Sequence, residues 1–204
     1  MIEEFDELYA QVYKQHPGTI DPVYHGSQIK EEFILAWNKI IPLIQSTDGT
    51  FTFLEIGAYR GLWPLMLAYV CNSLSKPFEY TTVTWLDQDP NNEGIHKVIK
   101  YYTDNKLTFN LVNKNSQTQE ARDLLSASYH VVFIDADHRY EGVKKDIELY
   151  ANLSSKALMF HDIRPVKLTQ HCGVYQAIKD MGIVLDQEIV VDGTKMGIGF
   201  KWNQ

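Results

Sequence analysis

The chain has 204 residues, 45% of them hydrophobic and 22% charged, with a net charge of −7. That length fits one domain with a sizeable core, and the acidic balance argues against a nucleic-acid partner, which would favour a basic face. No apolar run approaches the ~20 residues of a membrane span, the acidic start MIEEFDELYA lacks a signal-peptide layout, and Cys71 and Cys172 have no metal or redox spacing, so a reducing cytoplasm and no membrane contact are expected.

Residues 1–26 mix short helical pattern with Pro17-Gly18 and Asp21-Pro22 turn signals. Ser27 could cap a helix running to about Ser46, whose stripe is Ile29, Phe33, Trp37, Ile40 and Ile44, with Pro42 kinking its end. Residues 1–46 are read as a helical N-terminal cover and residues 50–204 as the sheet core of a single domain. Thr52 to Ile56 is the first strand. Leu62, Leu65, Met66, Tyr69 and Val70 follow on a helix that takes in Cys71, a small core residue. Thr81 to Leu86 is the second strand, rich in β-formers. Asp89-Pro90 starts the next helix, a capping carboxylate before proline at the first helical position. Ile95, Val98, Ile99 and Tyr102 make that helix amphipathic, and Leu107 to Val112 is the third strand. Tyr129 to Ile134 is the fourth strand and ends in Asp135; Ala157 to Phe160 is the fifth and ends in His161-Asp162. Helices marked by Val143, Ile147 and Tyr150, and by Val174, Ala177, Ile178 and Met181, follow these two strands. Gly182 closes the second helix, and Ile183–Val191, Asp192-Gly193 and Lys195–Trp202 read as a terminal hairpin. Strands alternating with helices predict an α/β fold, a doubly wound sheet with an antiparallel edge.

Ligands of such sheets bind outside the carboxyl ends of the strands, and here those ends hold Glu55, Asp87, Asp135 and Asp162. Glu55-Ile56-Gly57-Ala58-Tyr59-Arg60-Gly61 is a strand running into a glycine turn and a helix, which lets backbone approach a ligand closely. It is not a phosphate loop, because no Gly-Lys-Ser/Thr follows and the third glycine of G-x-G-x-x-G is missing. The acid suits a ligand with cationic groups. Asp87, with Gln88 beside it, is placed to hold ribose hydroxyls; Asp89 is the rival but is better used as a helix cap. Asn115 and Ser116 lie near where a base would rest, and Ser116 with Gln119 also reads as a capping box. Asp135, Asp137 and His138 crowd one strand end, beside Asp162. Such a cluster can bind a divalent metal, act as a base or orient a ligand. Asp135 with Asp162 would suit a hard cation such as Mg²⁺, whereas His161 would suit a transition metal. His16, His25, His96, His130 and His171 read as structural or solvated, and the four tryptophans as mostly core.

These segments resemble the class I S-adenosylmethionine-dependent methyltransferases. Glu55 to Gly61 matches their first motif, E-x-G-x-x-x-G, and Asp87 matches their ribose-binding acid. Phe133 to Ile147 and Phe160-His161-Asp162-Ile163 resemble the subgroup holding macrocin-type sugar O-methyltransferases and cephalosporin-hydroxylase-like proteins. The resemblance implies a Rossmann-like sheet of seven strands in the order 3-2-1-4-5-7-6, the seventh antiparallel. It implies that Glu55, Gly57 and Gly61 lie by the methionine moiety of S-adenosylmethionine, Asp87 at the ribose, and Asn115 and Ser116 near the adenine, with Ala58, Tyr59, Gln88 and Asp135 also in the cofactor site. In metal-dependent relatives the Asp135 and Asp162 positions are ligands, and the Asp137 position contacts cofactor or serves as base. His161 stands where those relatives place a second oxygen ligand. The expected reaction is methyl transfer to a hydroxyl of a small molecule or sugar, with Asp137 or His138 as base and a divalent cation on Asp135 and Asp162 if one is bound. Symmetric dimerisation could complete the acceptor pocket. The competing readings are an NAD(P)-dependent oxidoreductase on a similar sheet and a non-catalytic nucleotide-binding module.

Overall fold

The computed structural model describes residues 30–86, 93–164, 172–191 and 197–203, together with Glu7, Ala10 and Lys14. Asp87, Gln88, the Asp89-Pro90 helix start and the Asp192-Gly193 turn lie outside the described residues. Six helices are described: α1 (Lys30–Ser46), α2 (Leu62–Ser73), α3 (Glu93–Asp104), α4 (Gln119–Asp123), α5 (Tyr140–Tyr150) and α6 (Val174–Asp180). Seven strands form one sheet: β1 (Phe51–Ile56), β2 (Phe78–Val83), β3 (Thr108–Val112), β4 (Tyr129–Ile134), β5 (Ser154–His161), β6 (Gln187–Ile189) and β7 (Ile198–Trp202). Their order is β3-β2-β1-β4-β5-β7-β6, as the resemblance implied. β7 runs antiparallel to both β5 and β6, while the other pairs are parallel.

β1 and β4 sit at the centre and are apolar on both faces, as strands covered by helices on both sides must be. Alternation divides their side chains. Phe53 and Phe133 join α1, α2 and α3 in one core, and Leu54, Val132 and Ile134 join α5 and α6 in the other. In α1, Phe33 and Trp37 lie with ring centroids 4.9 and 5.1 Å from Trp63 of α2. The same Trp63 stacks on Phe53 at 5.9 Å. The helix continues through Pro42 to Ser46.

Several strand boundaries differ from the sequence expectation, most clearly in β2, β5 and β6. β2 starts at Phe78 rather than Thr81, because Phe78 and Tyr80 alternate inward around Glu79, a charge that interrupts the apolar run. It ends at Val83, and the Thr84 amide makes the last ladder bond, to the Val112 carbonyl at 3.1 Å. β6 is only Gln187–Ile189, since the Asp186 carboxylate takes the Trp202 amide at 2.7 Å, a position a ladder carbonyl would hold. β5 begins at Ser154, directly after a 3₁₀ turn at Ala151–Leu153. Trp85 is 43% exposed rather than core. His130 does lie within β4, where its Nδ1 faces the Thr52 hydroxyl at 2.8 Å. Among the described residues no helix is long and apolar enough to cross a membrane.

Candidate active site

The glycine turn leaves β1 beside the end of β4. Gly57 has φ +92°, and its amide donates to the Val83 carbonyl at 2.9 Å. A Cβ there would lie 2.5 Å from the Asp135 carbonyl oxygen and 2.7 Å from the Ala136 Cα, so only glycine lets the two strand ends touch. Tyr59 also takes a left-handed conformation, with φ +41°. Gly61 (φ +82°) ends the turn as the residue preceding α2, against Val98 of α3. The Gly61 carbonyl accepts the Leu65 amide at 3.3 Å, Pro64 has no amide, and Gly61 offers no side chain to the Leu62 and Trp63 amides. Ala58 is buried beneath the turn. The Glu55 carboxylate is buried too and receives the Tyr80 hydroxyl. Burial pushes its pKa well above the usual carboxylate range; Tyr80 opposes that and the nearby Asp135 charge reinforces it. Glu55 therefore lies under the turn, held by Tyr80.

A second loop follows β3. The Asn115 Oδ1 accepts the Gln117 amide at 3.0 Å, and this turn moves the helix start onward. Thr118, whose hydroxyl accepts the Ala121 amide at 3.2 Å, is the cap of α4. The expected capping box at Ser116 and Gln119 is thus corrected: Ser116 turns inward, and Gln119 instead bonds Asp123. The Ser116 carbonyl receives the Tyr150 hydroxyl. Gln117 reaches across to Asp137, its Nε2 donating to Oδ2 at 2.9 Å. Asp137 is also gripped by Arg139, through the backbone amide at 3.0 Å and the guanidinium at 2.6–3.1 Å. Those Arg139 bonds outweigh partial burial and hold the Asp137 carboxyl down at about 2. Gly142 is required opposite, since a Cβ there would collide with the Asp137 carboxylate.

The ends of β4 and β5 gather four side chains. The Asp135 Oδ1 lies 2.9 Å from His161 Nδ1 and 3.2 Å from His138 Nε2. The other ring nitrogen of His138, Nδ1, lies 3.0 Å from Asp162 Oδ2. His138 therefore stands between the two carboxylates expected to pair on a hard cation. Asp162 adopts φ +57°, a left-handed conformation that a non-glycine residue seldom takes. His161 is 4% exposed and Asp162 15%, while His138 is 35% exposed and is the open side of the group. Burial would raise the Asp135 pKa, but His161 and His138 overcome it and hold the group well below its usual range. Burial would lower both histidines, and the Asp135 carboxylate outweighs it, lifting His161 to about 9 and His138 upward. Asp162 is raised, chiefly by burial.

Two further acids in this region were not singled out from sequence. Glu32 of α1 is fully buried, accepts the Val191 amide at 3.1 Å and adds its charge behind His161. Its signal was available: Glu32, Ala36 and Ile40 follow i, i+4 spacing, so an acid sits on the apolar face. Asp146 of α5, fully buried, lies near Ser116 and Asp137.

The residues 54–163 match a family described as Methyltransferase domain. The chain belongs to that methyltransferase family. The matched stretch of this methyltransferase runs from the glycine turn through the Asp135–His138 loop to Asp162. No curated protein matches the sequence significantly. Among solved structures, CalS11, a TDP-rhamnose 3′-O-methyltransferase of calicheamicin biosynthesis, has a TM-score of 0.56 at 13% identity, over 96% of this chain and 94% of that one. A class I S-adenosylmethionine-dependent methyltransferase from Listeria monocytogenes has a TM-score of 0.56 at 13% identity, over 100% of this chain and 70% of its own. Fibrillarin from Aeropyrum pernix, with S-adenosylmethionine bound, has a TM-score of 0.54 at 7% identity, over 80% and 73%. These likenesses establish a shared fold.

Proposed function

We propose that this methyltransferase uses S-adenosylmethionine to methylate a hydroxyl of a small molecule or sugar, as a member of the macrocin-type and cephalosporin-hydroxylase-like subgroup. The observation that supports this most is the direct contact of the Gly57 turn with the Asp135 backbone, which joins the glycine turn to the histidine-bearing loop. The left-handed turn and the uncapped start of α2 suit the amino-acid part of that cofactor. When bound, the cofactor supplies an electrophilic methyl group on a sulfonium. This chain's residues must then orient the acceptor and take its hydroxyl proton. Asp137 is poorly suited to that, because Arg139 and Gln117 occupy its carboxylate and keep it ionised. Asp137 serves instead to fix the Asn115–Gln117 turn on the cofactor side. The proton goes to the Asp135–His138–Asp162 group, which an acceptor reaches through His138, its most exposed member.

The test is calorimetry followed by turnover. S-adenosylhomocysteine should bind where NAD does not, and a panel of sugars and small alcohols should yield methylated product. His138→Ala should lower kcat by about 10²–10⁴-fold while leaving the cofactor Kd within twofold. Binding of NAD in place of S-adenosylhomocysteine would refute the assignment.

A further inference from the structure

The side chains at the ends of β4 and β5 define a cation preference. We propose that Asp135, His138 and His161 form a nitrogen-rich centre for a first-row transition-metal dication, with Asp162 as the outer group that orients His138. The centre's part in methyl transfer rests on the function proposed above; its existence does not.

One potential ligand atom from each of the three residues lies within 4.8 Å of the others. Both imidazoles converge on the same carboxylate oxygen, at 2.9 and 3.2 Å. Their rings are splayed rather than stacked, with centroids 6.1 Å apart and planes at 64°, so the two nitrogens approach from different directions. Two imidazoles and one carboxylate are borderline donors. They suit zinc, cobalt, nickel or iron, whereas Mg²⁺ demands an oxygen shell of near-octahedral form. A pair of carboxylates facing one ion is not what the site offers, since His138 separates Asp135 from Asp162.

The surroundings match the needs of a ligand set. The His138 Nδ1 lies 3.0 Å from Asp162 Oδ2, the carboxylate–histidine arrangement that fixes the tautomer and points the other nitrogen inward. The left-handed backbone of Asp162 is part of how that carboxylate is placed there. His161 is 4% exposed, and its Nε2 has no hydrogen-bond partner among the described residues. Behind it, the buried carboxylate of Glu32 adds negative charge that favours a dication. His138 at 35% exposure leaves an entry side.

The test uses the full chain freed of metal by chelation, titrated calorimetrically with CoCl₂, ZnCl₂ and MgCl₂. The visible spectrum of the Co²⁺ form and the Kd for S-adenosylhomocysteine are measured on the same preparations. One equivalent of Co²⁺ or Zn²⁺ should bind at least 100-fold more tightly than Mg²⁺, with ligand-field bands in the visible. Asp135→Asn, His138→Gln and His161→Gln should each weaken Co²⁺ at least 100-fold and remove the bands. Asp162→Asn should keep one equivalent but weaken it about 10–100-fold, the usual effect of losing an outer partner. Circular dichroism confirms that each variant folds. The proposal is overturned by Mg²⁺ binding as tightly as Co²⁺, by no uptake at all, or by uptake unchanged in His138→Gln and His161→Gln, which would mark adventitious binding elsewhere. Cofactor binding without cation uptake removes this centre alone. Cation uptake without cofactor binding removes the proposed function alone.

Discussion

Gly57 links backbone conformation to chemistry at a single position. Two separate penalties meet a side chain there: the left-handed φ of +92° and a collision with the Asp135 carbonyl. Gly182, which closes α6, has φ +69° but nothing within 4 Å of a Cβ, so it isolates the first penalty. Gly182→Ala should cost about 1–2 kcal/mol in urea denaturation and leave S-adenosylhomocysteine affinity unchanged. Gly57→Ala should cost about 1–3 kcal/mol more than that, because the β4 end must shift, and should weaken the cofactor at least tenfold. Equal costs for the two variants, with binding intact, would show that the contact between the strand ends does not shape the pocket. The need for glycine here was legible from the motif, but the atom it makes room for was not. That atom belongs to residue 135, and no local pattern pairs the two.

At the scale of elements, α5 raises a different question, because it buries an acid. The Asp146 carboxyl is fully enclosed, and burial, aided by the Asp137 charge and opposed by Ser116 nearby, pushes its pKa from 3.8 to about 7. In the unfolded chain the group ionises near its ordinary value. Below about pH 4 both states are protonated and the group adds nothing. Between pH 4 and 7 the unfolded chain sheds the proton first, so stability falls as pH rises, by on the order of 4 kcal/mol in all. Asp146→Asn should flatten that slope, seen as urea midpoints at pH 5 and pH 8 that differ less than in the parent. Parallel slopes would mean that Asp146 ionises freely in the folded protein. The same helix shows what sequence can and cannot give. Val143, Ile147 and Tyr150 marked its buried stripe correctly, but Asp146 reads as one more polar position beside Lys144 and Lys145. Likewise Asp137 and His138 were equal candidates for a base: Arg139, which occupies Asp137, stands two residues on but no local pattern shows it turning back, and Asp162, the partner of His138, comes from another strand end. The strands were legible where both faces are apolar, as in β4, and misplaced where a charge interrupts the run, as at Glu79 in β2. Strand order is not written in local pattern; it came with the family motifs, and the hydrogen-bond ladder bears it out.

For the molecule as a whole, α1, the described part of the expected N-terminal cover, raises the question whether residues 30–46 are detachable. The packing of α1 argues that they are not. Phe33, Trp37, Ile40 and Ile44 are fully buried, and Trp37 and Phe33 lie against Trp63, which itself rests on Phe53 and Phe133 of the central strands. Glu32 ties the same helix to Val191, just after the edge strand β6. Removing α1 would therefore uncover Trp63 and loosen its seat on Phe53 and Phe133 of β1 and β4, the strands whose ends hold Gly57 and Asp135. Trp37→Ala alone should cost about 3–5 kcal/mol, a large part of the 5–15 kcal/mol typical of a domain. A chain of residues 50–204 should then fail to unfold cooperatively and should aggregate through the exposed aromatic face, as size-exclusion chromatography and thermal denaturation would report. The opposite result is equally specific. A truncated chain that stays monomeric, melts in one transition and binds S-adenosylhomocysteine with parental affinity would mean that the sheet holds its site unaided. In that case α1 could act only on the acceptor, and its loss would raise the acceptor KM while leaving cofactor affinity where it was.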